Sequence, residues 1–316
     1  MKQAVIGLDT SNYRTSLAVV TTDGDILLND RELLQVAAGE KGLRQSDAVF
    51  AHLKRLNAVS ETLREAVRGT EVLAVAASDR PRDGAESYMP VFLVGASFGK
   101  AVAAALDVPF IATTHQRGHL AAAMAGTRLE GAENLLALHL SGGTTDLLAM
   151  EAGRITQIGG SLDLHAGQMV DRAGVAMGLG FPAGPELEAL AREGKSGARL
   201  GCSMEQGDLY CHFSGAETRI RQWIREESVS REDAAREVYD LLARTIARML
   251  AAGAAKTGIR KALVTGGVAS SELFREMLAE RLRKTRNAPD AVFGAPEMSG
   301  DNAVGVARIG IKEIKE

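Results

Sequence analysis

Two stretches of the chain, GLDTSNYRTSLAVV from Gly7 to Val20 and LHLSGGTTDLLAM from Leu138 to Met150, follow one plan. Each is an apolar run, a turn built of small polar residues, and a second apolar run, which is the pattern of two strands joined by a tight turn. Small turn residues leave backbone N–H groups and hydroxyls able to face an anion. One such hairpin is ordinary. Two of them, each opening one half of a chain, point to a duplicated fold with a cleft between two lobes where both turns grip a phosphate chain.

At 316 residues and 46% hydrophobic, the chain is long and apolar enough to bury a core in each of two lobes. No run of about 18 apolar residues occurs, and the opening MKQAVIGLDTSNYRT has no basic flank followed by an apolar stretch. A cytoplasmic protein with no membrane partner is expected. Cys202 and Cys211 are the only cysteines, and both read as reduced thiols. A net charge of −3 excludes a broadly basic nucleic-acid-binding surface, so any RNA contact is local or shared with partners.

Strand signals alternate with helical ones, giving the α/β class. Ala4 to Leu8, Ser16 to Val20 and Asp25 to Leu28 read as an opening meander. Ser46 to Val67 has helical spacing, Glu71 to Ala77 reads as a buried strand, and the loop SDRPRDGAESYMP precedes a helix over Val91 to Leu106. Val108 to Ala112 is the next strand, and the meander restarts at Leu135, which divides the chain into residues 1–130 and 131–316. A loop-helix-loop segment is expected between Gly159 and Pro185, long helices over 216–257, and a strand-turn-helix unit from Ala262 through Gly266 and Gly267.

Thr113 and Gln116 in TTHQRGH have capping-box spacing, which predicts a helix start that sets His115 and His119 one turn apart on one face. Two imidazoles so placed make half of a metal site, although two polar residues in a first helical turn are the plainer alternative. The HExxH metalloprotease pattern fails, because Gln116 stands where the general-base Glu belongs and an amide cannot accept the proton. Asp301 in SGDN is the best candidate for a third ligand, or else the N-cap of the terminal helix. His52, His139, His165 and His212 read as structural. Ser141 to Thr144 can wrap phosphate or only turn a hairpin; Gly266-Gly267 can approach a flat ligand such as adenine or only form a βα turn. Asp171 can accept from ribose hydroxyls or pair with Arg172.

In order along the chain, GLDTS, HQRGHL, LSGGTTDLL, GQMVDRAGVAMGLGFPAGP, HFSGAET, VTGGVASS and SGDNAVGVA resemble the signatures of the universal tRNA threonylcarbamoyladenosine transferase family. The resemblance implies duplicated lobes of the actin/Hsp70/sugar-kinase (ribonuclease H-like) kind around a nucleotide cleft. It implies a metal, iron or zinc, on His115, His119 and Asp301, and nucleotide or acyl-adenylate contacts from Leu140, Ser141, Gly142, Gly143, Thr144, Asp171, Gly184, Gly266, Gly267 and Ser271. The implied reaction moves a threonylcarbamoyl group from an ATP-derived acyl-adenylate to the exocyclic amine of the tRNA adenosine beside the anticodon. Its implied partners are tRNA, the synthase that makes the acyl-adenylate, and accessory subunits. No residue stands out as a general base.

The chain also departs from the family as a divergent bacterial-type paralog does. Tyr13 and Arg14 replace an acidic pair, Thr144 replaces His or Asn, Ser271 replaces Asn, Gly300 replaces Thr, and RPRDGAESYMP replaces a glycine-rich loop. Two alternatives therefore stand beside the transferase reading: an ATP-dependent carbamoyltransferase acting on another substrate, and a nucleotide-binding, non-catalytic partner of the true transferase. Arg281, Arg283, Lys284 and Arg286 form one basic cluster and Arg219, Arg221 and Arg225 another, for RNA or as solvated helix faces.

Overall fold

The computed structural model describes residues 1–35, 43–84, 86–195, 197, 199–300 and 302–316. The chain divides into two compact units, one of Met1–Ala125 with Gly300–Glu316 and one of Gly126–Ser299.

The first unit holds β1 (Lys2–Thr10), β2 (Arg14–Thr21), β3 (Ile26–Leu33), α1 (Gln45–Ala58), α2 (Ser60–Ala66), β4 (Thr70–Arg80), α3 (Pro90–Leu106), β5 (Phe110–Thr114) and α4 (His115–Met124). Its sheet runs β3-β2-β1-β4-β5, with the first three strands antiparallel and the last three parallel. The second unit holds β6 (Leu135–Leu140), β7 (Thr145–Glu151), β8 (Arg154–Ser161), α5 (Ala166–Ala176), α6 (Gly184–Glu193), β9 (Ser203–Glu205) and β10 (Tyr210–His212). It continues with α7 (Ser214–Glu226), α8 (Arg231–Thr257), β11 (Lys261–Thr265), α9 (Glu272–Lys284) and β12 (Asp290–Phe293). Its sheet order is β12-β11-β6-β7-β8-β10-β9. Without the β9–β10 hairpin at one edge, this is the strand order and direction of the first sheet, so the two units repeat one topology.

The terminal helix α10 (Val304–Glu313) belongs to the first unit, whereas the division of the sequence near residue 130 carries it with residues 131–316. Three glycines dock it. A Cβ on Gly7 of β1 would meet the Ala303 carbonyl at 2.4 Å, one on Gly310 would meet Val5 at 2.8 Å, and one on Gly305 would meet the Gly118 carbonyl of α4 at 1.9 Å. With α10 and α4 on one face and α1 and α3 on the other, β1 is buried from Ala4 to Thr10. Its alternation then decides which face each side chain meets. Ala4, Ile6 and Leu8 enter the core beneath α1 and α3, while Val5, Gly7 and Asp9 look toward α10 and α4.

Local chemistry moved two expected boundaries. The helix expected over Ser46 to Val67 is broken at Val59, where the Ser60 hydroxyl donates to the Asn57 carbonyl at 2.8 Å and competes with helix continuation. Thr113 does not cap a helix: α4 begins at His115, and Thr114 is its N-cap, the hydroxyl accepting from Arg117 N at 3.2 Å. The second unit packs around α8, which is capped by Ser230 and ended by Gly258 at φ 76°. Tyr239, Leu242, Ile246 and Leu250 of α8 lie in the largest apolar core. No helix among the described residues is long and apolar enough to cross a membrane.

Candidate functional site

In the first unit, the end of β1 is tied by three successive residues to four different elements. Asp9 Oδ2 accepts from His115 Nδ1 at 2.8 Å, and its other oxygen accepts from the Ser78 hydroxyl. Thr10 Oγ1 donates to the Val91 carbonyl at 2.8 Å and accepts from Gly95 N at 3.1 Å, both on α3. The Ser11 carbonyl accepts from His52 Nε2 at 2.8 Å. A carbonyl can only accept, so Nε2 carries the proton of His52 and its Nδ1 accepts from the Thr15 hydroxyl at 2.8 Å. Burial holds the His52 pKa below the usual histidine value. The GLDTS turn is therefore a structural knot whose one polar side chain on the α4 face, Asp9, reaches a histidine.

That histidine and its neighbour converge. One helical turn apart on α4, His115 and His119 bring their Nε2 atoms to 3.0 Å, with rings edge to face. Phe92 packs against the His115 ring at 5.4 Å between centroids, and the Arg117 guanidinium clasps Asp83 at 2.9–3.2 Å on the loop before α3. The 3.0 Å contact is a hydrogen bond between the two rings, and a small separation of the nitrogens, to about 3.3 Å, would let one tetrahedral ion take its place at about 2.0–2.1 Å from each. The carboxylate on Nδ1 is the outer partner such histidines usually have. Among the described residues, no group of three His, Cys, Asp or Glu side chains is arranged to hold a metal, and Asp301 lies outside the described residues.

Two of the departures occupy one place. A Cβ on Gly300 would meet the Arg14 guanidinium at 3.1 Å, so the glycine at 300 makes room for the arginine at 14. Tyr13 beside it is exposed.

In the second unit, the remaining candidate residues gather at one end of the sheet. The turn between β6 and β7 closes with Ser141 N donating to Thr144 O at 2.8 Å. It sits on the N-terminus of α5: Gly167 N donates to Ser141 O at 3.1 Å, and Ala166 N donates to Thr145 Oγ1 at 2.8 Å. A Cβ on Gly167 would meet Gly142 N at 2.6 Å, whereas Gly142 and Gly143 themselves have open space around them. The turn is accessible and sits where the helix dipole favours an anion, but the Ala166 and Gly167 N–H groups of α5 are already bound to the turn, which leaves the donors to the turn itself. Gly266, at φ 103°, lies against Leu140, where a Cβ would meet the carbonyl at 2.2 Å. The Leu140 side chain is in the core, so only its backbone is available to a ligand.

One turn along α5, Asp171 Oδ1 accepts from Ala183 N at 2.9 Å rather than pairing with Arg172. Next to it, the Gly184 carbonyl accepts from Tyr239 OH at 3.0 Å. Burial, followed by the charge of Glu188, raises the Tyr239 pKa, and the Ser271 hydroxyl and the Asp171 charge also act on it. Ser271 caps α9, accepting from Phe274 N at 3.1 Å. Asp171, Gly184, Tyr239 and Ser271 thus form one neighbourhood, and Tyr239 is the member that sequence reading missed, since it carries no motif and lies inside a long helical pattern.

The basic clusters are partly occupied. Arg281 pairs with Asp240 at 2.8 Å, Lys284 with Glu280 at 2.5 Å, and Arg221 with Glu217 at 3.7 Å. Cys202 and Cys211 are free thiols.

This architecture is that of the actin-like ATPases and sugar kinases. Similar solved structures include the T. kodakarensis protein HypF (TM-score 0.62, 15% identity, 99% of this chain and 48% of that one) and a ROK hexokinase from Thermus thermophilus (0.58, 16%, 99% of both). The Clostridium difficile activator of 2-hydroxyisocaproyl-CoA dehydratase is a third (0.53, 15%, 99% of this chain and 96% of that one). Within that class, the family model of tRNA N6-adenosine threonylcarbamoyltransferase (TsaD) matches residues 37–307. Relatives bearing that name from Methanopyrus kandleri and Bordetella avium are each 31% identical, over 97% and 98% of this chain and 86% and 92% of their own. The chain belongs to the tRNA N6-adenosine threonylcarbamoyltransferase family, and it is by that membership a transferase.

Proposed function

We propose that this protein transfers a threonylcarbamoyl group from threonylcarbamoyl-adenylate to the exocyclic amine of a tRNA adenosine, and that it does so with a divalent metal ion. The observation that carries the reading is the pair of imidazole nitrogens 3.0 Å apart, backed by a buried carboxylate. His115 and His119 would hold the ion, with Asp301 as the third ligand. Once bound, iron or zinc supplies Lewis acidity toward a carbonyl oxygen. The turn Ser141 to Thr144, seated on the N-terminus of α5, would bind the adenylate phosphate. Asp171, Gly184, Gly266, Gly267 and Ser271 would take the nucleoside.

In the reaction, the amine nitrogen bonds to the carbamoyl carbon, the carbon–oxygen bond to the phosphate breaks, and AMP leaves with the electron pair while the proton lost by the amine passes to water. Because AMP is a good leaving group, no strong base is required. With their charges partly taken by Asp240, Glu280 and Glu217, the basic clusters offer limited attraction for RNA. We place much of the tRNA-binding surface, and the synthesis of the adenylate, on partner proteins.

The test combines the protein, an adenylate-forming synthase, threonine, bicarbonate, ATP and unmodified tRNA, scored by nucleoside mass spectrometry. Wild type should give threonylcarbamoyladenosine, and His115→Ala should be slower by at least about 100-fold, the scale of a lost Lewis-acid contribution. Equal rates for the two would remove the metal from the reaction. Product-free wild type that still binds nucleotide would move the activity to another acceptor.

A further inference from the structure

Asp9 has no role in the reading above except through His115, yet the fold commits much to placing it. Period-two alternation along β1 points it at α4, away from the core that Leu8 enters. It is 1% exposed, and both of its oxygens are engaged, one by the Ser78 hydroxyl on the adjoining strand β4 and the other by His115 Nδ1 at 2.8 Å. Ser78 is itself fully buried. A buried carboxylate without partners is costly, so this one is held where it is by its two donors.

We propose that Asp9 is a positioning residue for the candidate metal site: it fixes the tautomer and the ring plane of His115 so that Nε2 faces Nε2 of His119, and Ser78 in turn fixes Asp9. A carboxylate can only accept at Nδ1, which puts the Nδ1 proton in that bond and the lone pair on Nε2. The inference rests on the metal reading of the two histidines and extends it by two residues on strands far from α4 in sequence.

The experiment is zinc binding to the metal-free full chain by equilibrium dialysis, with thermal melting of the same metal-free samples. Asp9→Asn keeps the shape and removes the charge, and it should weaken zinc affinity by about 10- to 100-fold. Thr10→Val breaks the knot on the opposite face of the same strand; it should lower the melting temperature and leave zinc affinity within about twofold, because no ligand is positioned through it. Zinc affinity in Asp9→Asn within twofold of wild type would overturn the inference while leaving the metal reading in place. If Asp9→Asn does not fold, Ser78→Ala decides: a loss of about three- to tenfold supports the inference, and unchanged affinity overturns it. Zinc binding that is the same in wild type, His115→Ala and His119→Ala would overturn the metal reading itself, and the inference with it.

Discussion

Replacing Gly305 with alanine tests whether the docking of the terminal helix sustains the histidine pair. The added Cβ would lie 1.9 Å from the Gly118 carbonyl oxygen and 2.6 Å from Ala122 N, and both atoms are backbone of α4, which cannot rotate away. A carbon–oxygen contact needs about 3.3 Å, so the two helices must separate by about 1.4 Å at that point. α10 has no easy way to yield, since Gly7 and Gly310 already seat it against β1 at distances that admit no further atom. Overpacking of this kind costs about 1–3 kcal/mol, and contact with fixed backbone puts this case near about 3. At roughly 2–4 °C per kcal/mol, the melting temperature should fall by about 6–12 °C. Gly118 lies between the two histidines, so zinc affinity should fall as well. Calorimetry and zinc titration on the same samples measure both, with Gly142→Ala as the control, since a Cβ there meets nothing within 4 Å. A Gly305→Ala protein that melts within about 2 °C of wild type would refute the close backbone approach of α4 and α10.

Two further outcomes follow from the same geometry. Gly167→Ala would drive a Cβ to 2.6 Å from Gly142 N and Ser141 C, displacing the turn that the phosphate reading requires. AMP affinity, measured by calorimetry, should weaken by at least about tenfold, and an unchanged affinity would place the phosphate elsewhere. In the case of pH, His52 is kept neutral by burial, with a folded pKa below its ordinary 6.5. The unfolded chain then takes up a proton that the folded one resists, so the His52 contribution is complete above pH 6.5 and is lost as pH falls through and below it. His212 works in the opposite sense, because its hydrogen bond to Glu205 raises its pKa. The informative quantity is therefore the difference in slope of melting temperature against pH between wild type and His52→Gln from about pH 8 to 5, and parallel slopes would contradict the assignment.

Much of the architecture was legible in the sequence because it is written in short-range periodicity. Alternating apolar runs around Ser-, Thr- and Gly-rich turns mark both opening hairpins, and the two sheets share the β3-β2-β1-β4-β5 order that the repeated plan implies. The i, i+4 spacing of His115 and His119 sufficed to put both imidazoles on one face, since α-helical geometry allows nothing else. The ordered motifs sufficed for the family.

Tertiary structure alone decided what lies behind those residues. Asp9 and His115 are separated by 106 positions, and only the parallel pairing of β1 with β4 and of β4 with β5 brings them together. No local pattern signals that Asp9 belongs to a histidine rather than to a phosphate turn. Likewise Gly305 and Gly7 read as unremarkable small residues until the backbones of α4, α10 and β1 approach closely enough that only hydrogen fits at those two positions. That approach returns the last helix to the first unit, which no division drawn along the chain can express. Period and propensity act over a few residues and are recorded in the order of the sequence; a contact between distant strands depends on the order of strands in the sheet, which the sequence specifies only through the fold it forms.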